Sequence, residues 1–196
     1  MYWQKIKKLP YVSIVLVAIN IIVYIFCTFT GNLLYNMGGL TLWGVQVEGE
    51  YWRIVSAMFL HIGTSHIFNN MLILFFVGAM VENEIGHGLF ALLYFTSGIC
   101  GNILSLISKV ALGDISMSVG ASGATFGLTG LLLALVLFSE RQIPNVTVPR
   151  VLLMVFYSLY NGFAGYNVDN AAHVGGLLAG FVLGVIACII QRRKQM

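Results

Sequence analysis

The sequence predicts an all-α membrane protein, six transmembrane helices in one bundle with a long interfacial loop between the first and second. Three observations predict it. Of 196 residues, 59% are hydrophobic and only 9% charged, against about 25% charge in a typical soluble domain, and the mean hydropathy is +0.90. Six separate runs reach the roughly 20 mainly apolar residues that a span requires. Glycines recur inside those runs at helical spacing, where they weaken a helix unless two backbones must approach closely.

The rest of the composition excludes other classes. A net charge of +3 is too small and too dispersed for a nucleic-acid partner. Cys27, Cys100 and Cys188 lie far apart inside apolar runs, which argues against a disulfide framework and a metal site. They read as small apolar fillers, and no metal or cofactor is expected.

Residues 1–196 read as a single membrane domain. The first run, about 11–30, is too long for a signal-peptide core and lacks a convincing cleavage site, so it is a retained span. Residues 31–65 form the one long connection. Its Trp43, Tyr51, Trp52 and Phe59, mixed with Glu48, Glu50 and Arg53, suit a segment lying on or in the outer leaflet, with Trp52 and Arg53 as anchors. The remaining spans fall at about 66–84, 88–107, 118–138, 149–166 and 170–190. Glu82 and Glu84 close the second at its cytoplasmic end.

Orientation follows from the cations. Lys5, Lys7 and Lys8 precede the first span, Arg141 and Arg150 lie between the fourth and fifth, and Arg192, Arg193 and Lys194 follow the sixth. The opposite side holds only Arg53 and Lys109. Both termini are therefore expected in the cytoplasm. Spans two, four and six then all descend from the outer face. Their upper ends carry His66 and Asn70, Ser122, and His173 respectively, at one shared depth.

Those four residues suit hydrolysis. Ser122 sits in Gly120-Ala-Ser-Gly-Ala-Thr-Phe-Gly127, and a serine becomes a nucleophile when a base and oxyanion donors reach it. The pattern alone also fits a packing face. It is not the hydrolase elbow, because Ala124 stands where that motif needs glycine. His173, Gly176, Gly180 and Gly184 share one helix face, and Gly123, Gly127 and Gly130 lie below Ser122. Two such small-residue faces would bring Ser122 and His173 together, whereas a packing seam with a hydrogen-bonded histidine is the plainer alternative. An ionisable side chain inside a membrane favours function. His66 and Asn70, four apart, face one side of their helix and offer donors to an oxyanion; otherwise they form an interhelical hydrogen-bond pair. His61 reads as structural or solvated.

Trp52-Arg53, Phe59-Leu60-His61, His66-x-x-x-Asn70-Met71, Gly120-x-Ser122-Gly123 and Ala172-His173-x-x-Gly176-x-x-x-Gly180 together resemble the signature set of rhomboid intramembrane serine proteases, in a minimal six-span form. The resemblance implies a Ser122–His173 dyad that cuts transmembrane protein substrates near the outer leaflet. It also implies an oxyanion hole built from His66, Asn70 and the Ser122 N–H. Phe126 stands where family members often carry tyrosine, which leaves ring stacking to orient the His173 imidazole. Gly123, Gly127, Gly176 and Gly180 are the packing glycines. Glu82 matches a glutamate common in the family and reads as structural. The expected address is the cell membrane of a bacterium.

Asp169 precedes His173 by four residues and could complete a triad or cap the sixth helix; the cap is preferred. Two other functions compete. A non-catalytic rhomboid-like protein would bind membrane helices, although such relatives typically lack the serine or histidine. A small transporter or proton-conducting protein could use His66, Asn70 and His173 but would need polar residues in the lower halves of the spans, which are apolar. A metalloprotease is weaker still, since His-Glu-x-x-His is missing.

Overall fold

The computed structural model describes residues 9–139, 143, 146–164 and 168–193. Lys5, Lys7, Lys8, Arg141 and Lys194, used above for orientation, lie outside the described residues. Each of the six apolar runs is a helix: α1 (Tyr11–Thr30), the pair α5 (Thr64–Ile73) and α6 (Ala79–Ile85) joined by a π turn at Leu74–Gly78, α7 (His87–Leu112), α8 (Ser122–Phe138), α9 (Val148–Ala164) and α10 (Asn170–Arg193). Three short helices, α2 (Leu33–Gly38), α3 (Leu42–Gln46) and α4 (Arg53–Ser56), fold the long connection. Among the described residues, four helical segments are long and apolar enough to cross a membrane: Tyr11–Thr30, Thr64–Ile85, His87–Leu112 and Asn170–Arg193. Ser122–Phe138 and Val148–Tyr160 are apolar but shorter.

The short α8 is the axis of the bundle. Its sequence is apolar or small all round, and such a helix belongs in the interior; nearly every residue from Gly123 to Leu135 is buried. It packs chiefly against α10 and α7. By contrast α1 buries only Ser13, Leu16, Asn20 and Cys27, a single stripe, and turns its isoleucines and phenylalanines outward. In α7 the buried face runs through Phe90, Tyr94, Ser97, Gly101, Ser105 and Lys109, the spacing of one helix side. Gly113, at φ 65°, ends it in the left-handed conformation with its N–H on the Lys109 carbonyl.

Glu82 is a structural knot. Fully buried, it accepts the N–H groups of Val12 (2.9 Å) and Ser13 (2.8 Å), the Ser13 hydroxyl (2.6 Å) and a contact from His87 Nδ1 (2.5 Å). It thereby satisfies donors at the start of α1 that have no partner within that helix.

Two expectations are corrected. The fourth helix begins at Ser122, not 118. Ser118 is extended and paired in both directions with Leu40 of the long connection, at 2.9 Å each way, and Gly120 takes a φ of 134°, so the chain enters the helix only after Ala121. Arg53 is not a lipid-surface anchor. It is buried, bonded through Nη1 to the carbonyls of Asn36 (2.9 Å) and Gly39 (2.8 Å) and through Nε to Glu50 (2.5 Å). A desolvated guanidinium needs such partners, and they hold the long connection in shape. Trp52 does stay exposed.

Candidate active site

Four elements meet at the candidate site: the lead-in to α8, the start of α5, the top of α10 and the loop before α5. The lead-in is fixed almost residue by residue. Gly120 donates its N–H to the Ala57 carbonyl (2.9 Å), and Ala121 donates its N–H to His61 Nε2 (3.3 Å). A Cβ at Gly120 would lie 2.7 Å from His66 Nε2 and 3.6 Å from Ser122 Oγ. The position therefore excludes a side chain on space as well as on its positive φ. The His66 ring and the Ser122 hydroxyl consequently flank the same glycine.

His61, for which the sequence left structural and solvated readings open, is structural. It is fully buried, sits edge-on to His66 with ring centroids 5.1 Å apart, and has its own carbonyl bonded by the Tyr35 hydroxyl at 2.7 Å. Burial, reinforced by the neighbouring His66, pushes its pKa down to about 3. The neutral ring keeps the Nε2 lone pair that the Ala121 N–H requires.

Asn70 is buried one turn below His66. Its Nδ2 donates to the His66 carbonyl (3.2 Å), and its Oδ1 lies 3.1 Å from the Thr125 hydroxyl, which also lies 3.1 Å from the Ser122 carbonyl. Thr125 thus tethers α5 to the first turn of α8. Its position three residues after Ser122 was the available signal, since residues so spaced share a helix face.

His173 lies in the first turn of α10, buried, with its ring stacked on Phe126 at 4.2 Å between centroids and 13° between planes. Phe126 is one turn below Ser122, so serine and imidazole occupy the same corner between α8 and α10. The backbones there are in near contact: a Cβ at Gly176 would fall 1.9 Å from the Gly123 carbonyl oxygen, and one at Gly180 1.9 Å from that of Gly127. Helix α9 closes the corner at Gly162, where a Cβ would be 2.8 Å from Asn170 Oδ1 and 3.1 Å from His173 Nδ1.

Asp169 makes no hydrogen bond to His173 Nδ1. Its Oδ1 accepts the Ala172 N–H (3.0 Å), the position of an N-cap, and its Oδ2 accepts the hydroxyls of Ser118 (2.5 Å) and Ser105. His173 Nδ1 is buried without a hydrogen-bond partner among the described residues. No group of three or more histidine, cysteine or carboxylate side chains gathers to hold a metal among the described residues.

The sequence of the Rhomboid domain matches residues 48–190 of this chain. Rhomboid protease GluP of Bacillus subtilis is 33% identical over 177 residues, covering 88% of this chain and 34% of the relative. RHOMBOID-like protein 4 of Arabidopsis thaliana is 40% identical over 158 residues, 80% of this chain and 39% of the relative. The putative rhomboid protease YdcA of Bacillus subtilis is 32% identical over 168 residues, 86% of this chain and 77% of the relative. The chain spans between a third and a half of the length of the first two. With a domain match over most of its length and YdcA covered over more than two thirds of its own, this chain belongs to the rhomboid family.

Proposed function

We propose that this chain is an intramembrane serine endopeptidase that cuts membrane-protein substrates near the outer leaflet through a Ser122–His173 dyad. The observation that carries the reading is the corner between α8 and α10. There the His173 ring rests on Phe126 one turn below Ser122, and the helices touch backbone to backbone at Gly123 and Gly176.

In this mechanism His173 takes the proton from the Ser122 hydroxyl as Oγ attacks the scissile carbonyl, forming the Oγ–C bond and a tetrahedral oxyanion. The Ser122 N–H, unbonded within the first turn of its helix, His66 and the second N–H of Asn70 supply the donors. The intermediate collapses, the C–N bond breaks, and His173 returns the proton to the departing amine. Water, deprotonated by the same imidazole, then hydrolyses the acyl-enzyme and frees Ser122. Asp169 is engaged by an N–H and two hydroxyls, which supports a dyad. Without a carboxylate on the imidazolium, turnover is slow.

A substrate helix must unwind at its top for its carbonyl to reach Ser122. Unwinding strands backbone groups in lipid, so small or helix-weakening residues near the outer surface favour cleavage. The outward placement follows the charge distribution, and Arg192 supports it by bonding the Phe138 carbonyl at 2.8 Å, at the opposite end of α8 from Ser122.

The test is cleavage of a single-span substrate in liposomes by wild type, Ser122→Ala and His173→Ala. Cleavage by wild type alone is expected. Cleavage that survives Ser122→Ala overturns the assignment, and a wild type that binds the substrate without cutting it would be a helix-binding member of the family.

A further inference from the structure

We propose that Asp169 is a positioning residue, joining the segment that leads into Ser122 to the first turn of the helix that carries His173. The inference rests on the reading of Ser122 and His173 as the reacting pair.

A capping carboxylate needs one oxygen and one backbone N–H. Asp169 satisfies that requirement with Oδ1 and Ala172. Its second oxygen does something a cap does not require: it accepts two serine hydroxyls from distant parts of the chain, Ser118 at 2.5 Å and Ser105. Ser105 belongs to α7. Ser118 stands four residues before Ser122, and its backbone is already committed on both sides to Leu40. One carboxylate thus ties together α7, the lead-in to α8 and the top of α10. The junction is a direct polar link between the two halves of the site.

The geometry shows what the link controls. The lead-in from Ser118 to Ala121 sets the height and rotation of Ser122, and Gly120 within it flanks the His66 ring. His173 lies one turn beyond Asp169 and donates its N–H to the Asp169 carbonyl at 3.2 Å. Sliding of the lead-in against α10 changes the separation of the hydroxyl from the imidazole, and the Ser118–Asp169 bond opposes that slide. Packing of α8 on α10 at Gly123 and Gly176 and the lead-in's bonds to Leu40, Ala57 and His61 hold each piece in place, and the Ser118–Asp169 bond ties the lead-in directly to α10. Asp169 acts through Ser118 and through the α10 turn; it takes no part in proton transfer.

The experiment compares wild type, Ser118→Ala, Asp169→Ala, Asp169→Asn and the double variant Ser118→Ala/Asp169→Ala in detergent, at a temperature where each is folded by its thermal transition. Two rates are read: fluorophosphonate labelling of Ser122, and kcat and KM for a single-span substrate. Ser118→Ala is the decisive variant, because it keeps the cap and removes one hydroxyl. Expected are a tenfold or greater fall in labelling rate and kcat with KM little changed, a double variant no slower than Asp169→Ala alone, and recovery to within a few-fold of wild type in Asp169→Asn, whose amide can still bond both sides. A folded Ser118→Ala that labels at the wild-type rate, or a double variant whose losses multiply, overturns the proposal while leaving the protease reading intact. A wild type that neither labels nor cleaves removes both.

Discussion

Gly176 and Gly123 face one another across α8 and α10, yet they should respond oppositely to alanine. A methyl at residue 176 would lie 1.9 Å from the Gly123 carbonyl oxygen and 3.2 Å from the Gly123 Cα. Both are backbone atoms, so no rotamer change relieves the overlap. Ordinary contact is near 3.5 Å, and the helices must separate by about 1.5 Å to reach it. Overpacking of this kind costs about 1–3 kcal/mol, and a rigid backbone partner puts Gly176→Ala at the upper end. The displacement falls at the site itself, since His173 is one turn above and Ser122 adjoins Gly123; a misplacement of about 1 Å can cost ~100-fold in rate. At residue 123 a methyl would have the Ala172 carbonyl oxygen as its nearest neighbour, at 3.4 Å, an unstrained contact. Alanine there also gains up to about 1 kcal/mol in helix propensity. Thermal unfolding in detergent and cleavage of a model substrate would measure both. Gly176→Ala should melt markedly lower and lose at least ~100-fold in kcat, while Gly123→Ala melts at or above wild type. Equal melting shifts for the two would refute the reasoning, because it rests on the direction of each missing Cβ and not on the presence of glycine.

His61 makes stability fall in acid. Its folded pKa of about 3 lies below the ordinary 6.5, so the unfolded chain binds the proton more readily. Stability should therefore be full above about pH 6.5 and decline as pH drops toward 3, by at most about 5 kcal/mol from this ring. His61→Gln should flatten that slope in pH-dependent melting curves. Phe126→Tyr should keep most activity, because the ring stack on His173 is retained. Phe126→Ala should lose about 2- to 12-fold in kcat through a stack worth roughly 0.5–1.5 kcal/mol; equal activity in both variants would remove the ring from the mechanism. Glu82→Ala should destabilise by about 2–4 kcal/mol, read from detergent melting, by orphaning the donors of Val12, Ser13 and His87. A melting temperature equal to wild type would show those bonds to be dispensable.

What the sequence made legible divides along a physical line. Periodic and compositional signals carried the helices, because a run such as Tyr11–Thr30 or Asn170–Arg193 has one stable answer in lipid. They also pointed to the N-terminal ends of two helices, where Ser122 and His173 stand. The boundary of α8 was missed because what stops the helix at Ser122 is a partner far away in the chain, Leu40 on Ser118. The same holds for Arg53, whose acceptors at Asn36 and Gly39 are carbonyls and so leave no trace in residue identity. It holds for His61 too: the loop position left structural and solvated readings open, and only the fold shows the buried Ala121 N–H that makes it structural. Asp169 shows the division within one side chain: its cap on Ala172 is local and could be read from position, whereas its bonds to Ser105 and Ser118 cross 64 and 51 residues. The glycines show it most sharply. Spacing identified Gly123 and Gly176 as members of one seam, but which of them has no room for a methyl depends on how α10 is rotated against α8, a quantity that no single helix contains.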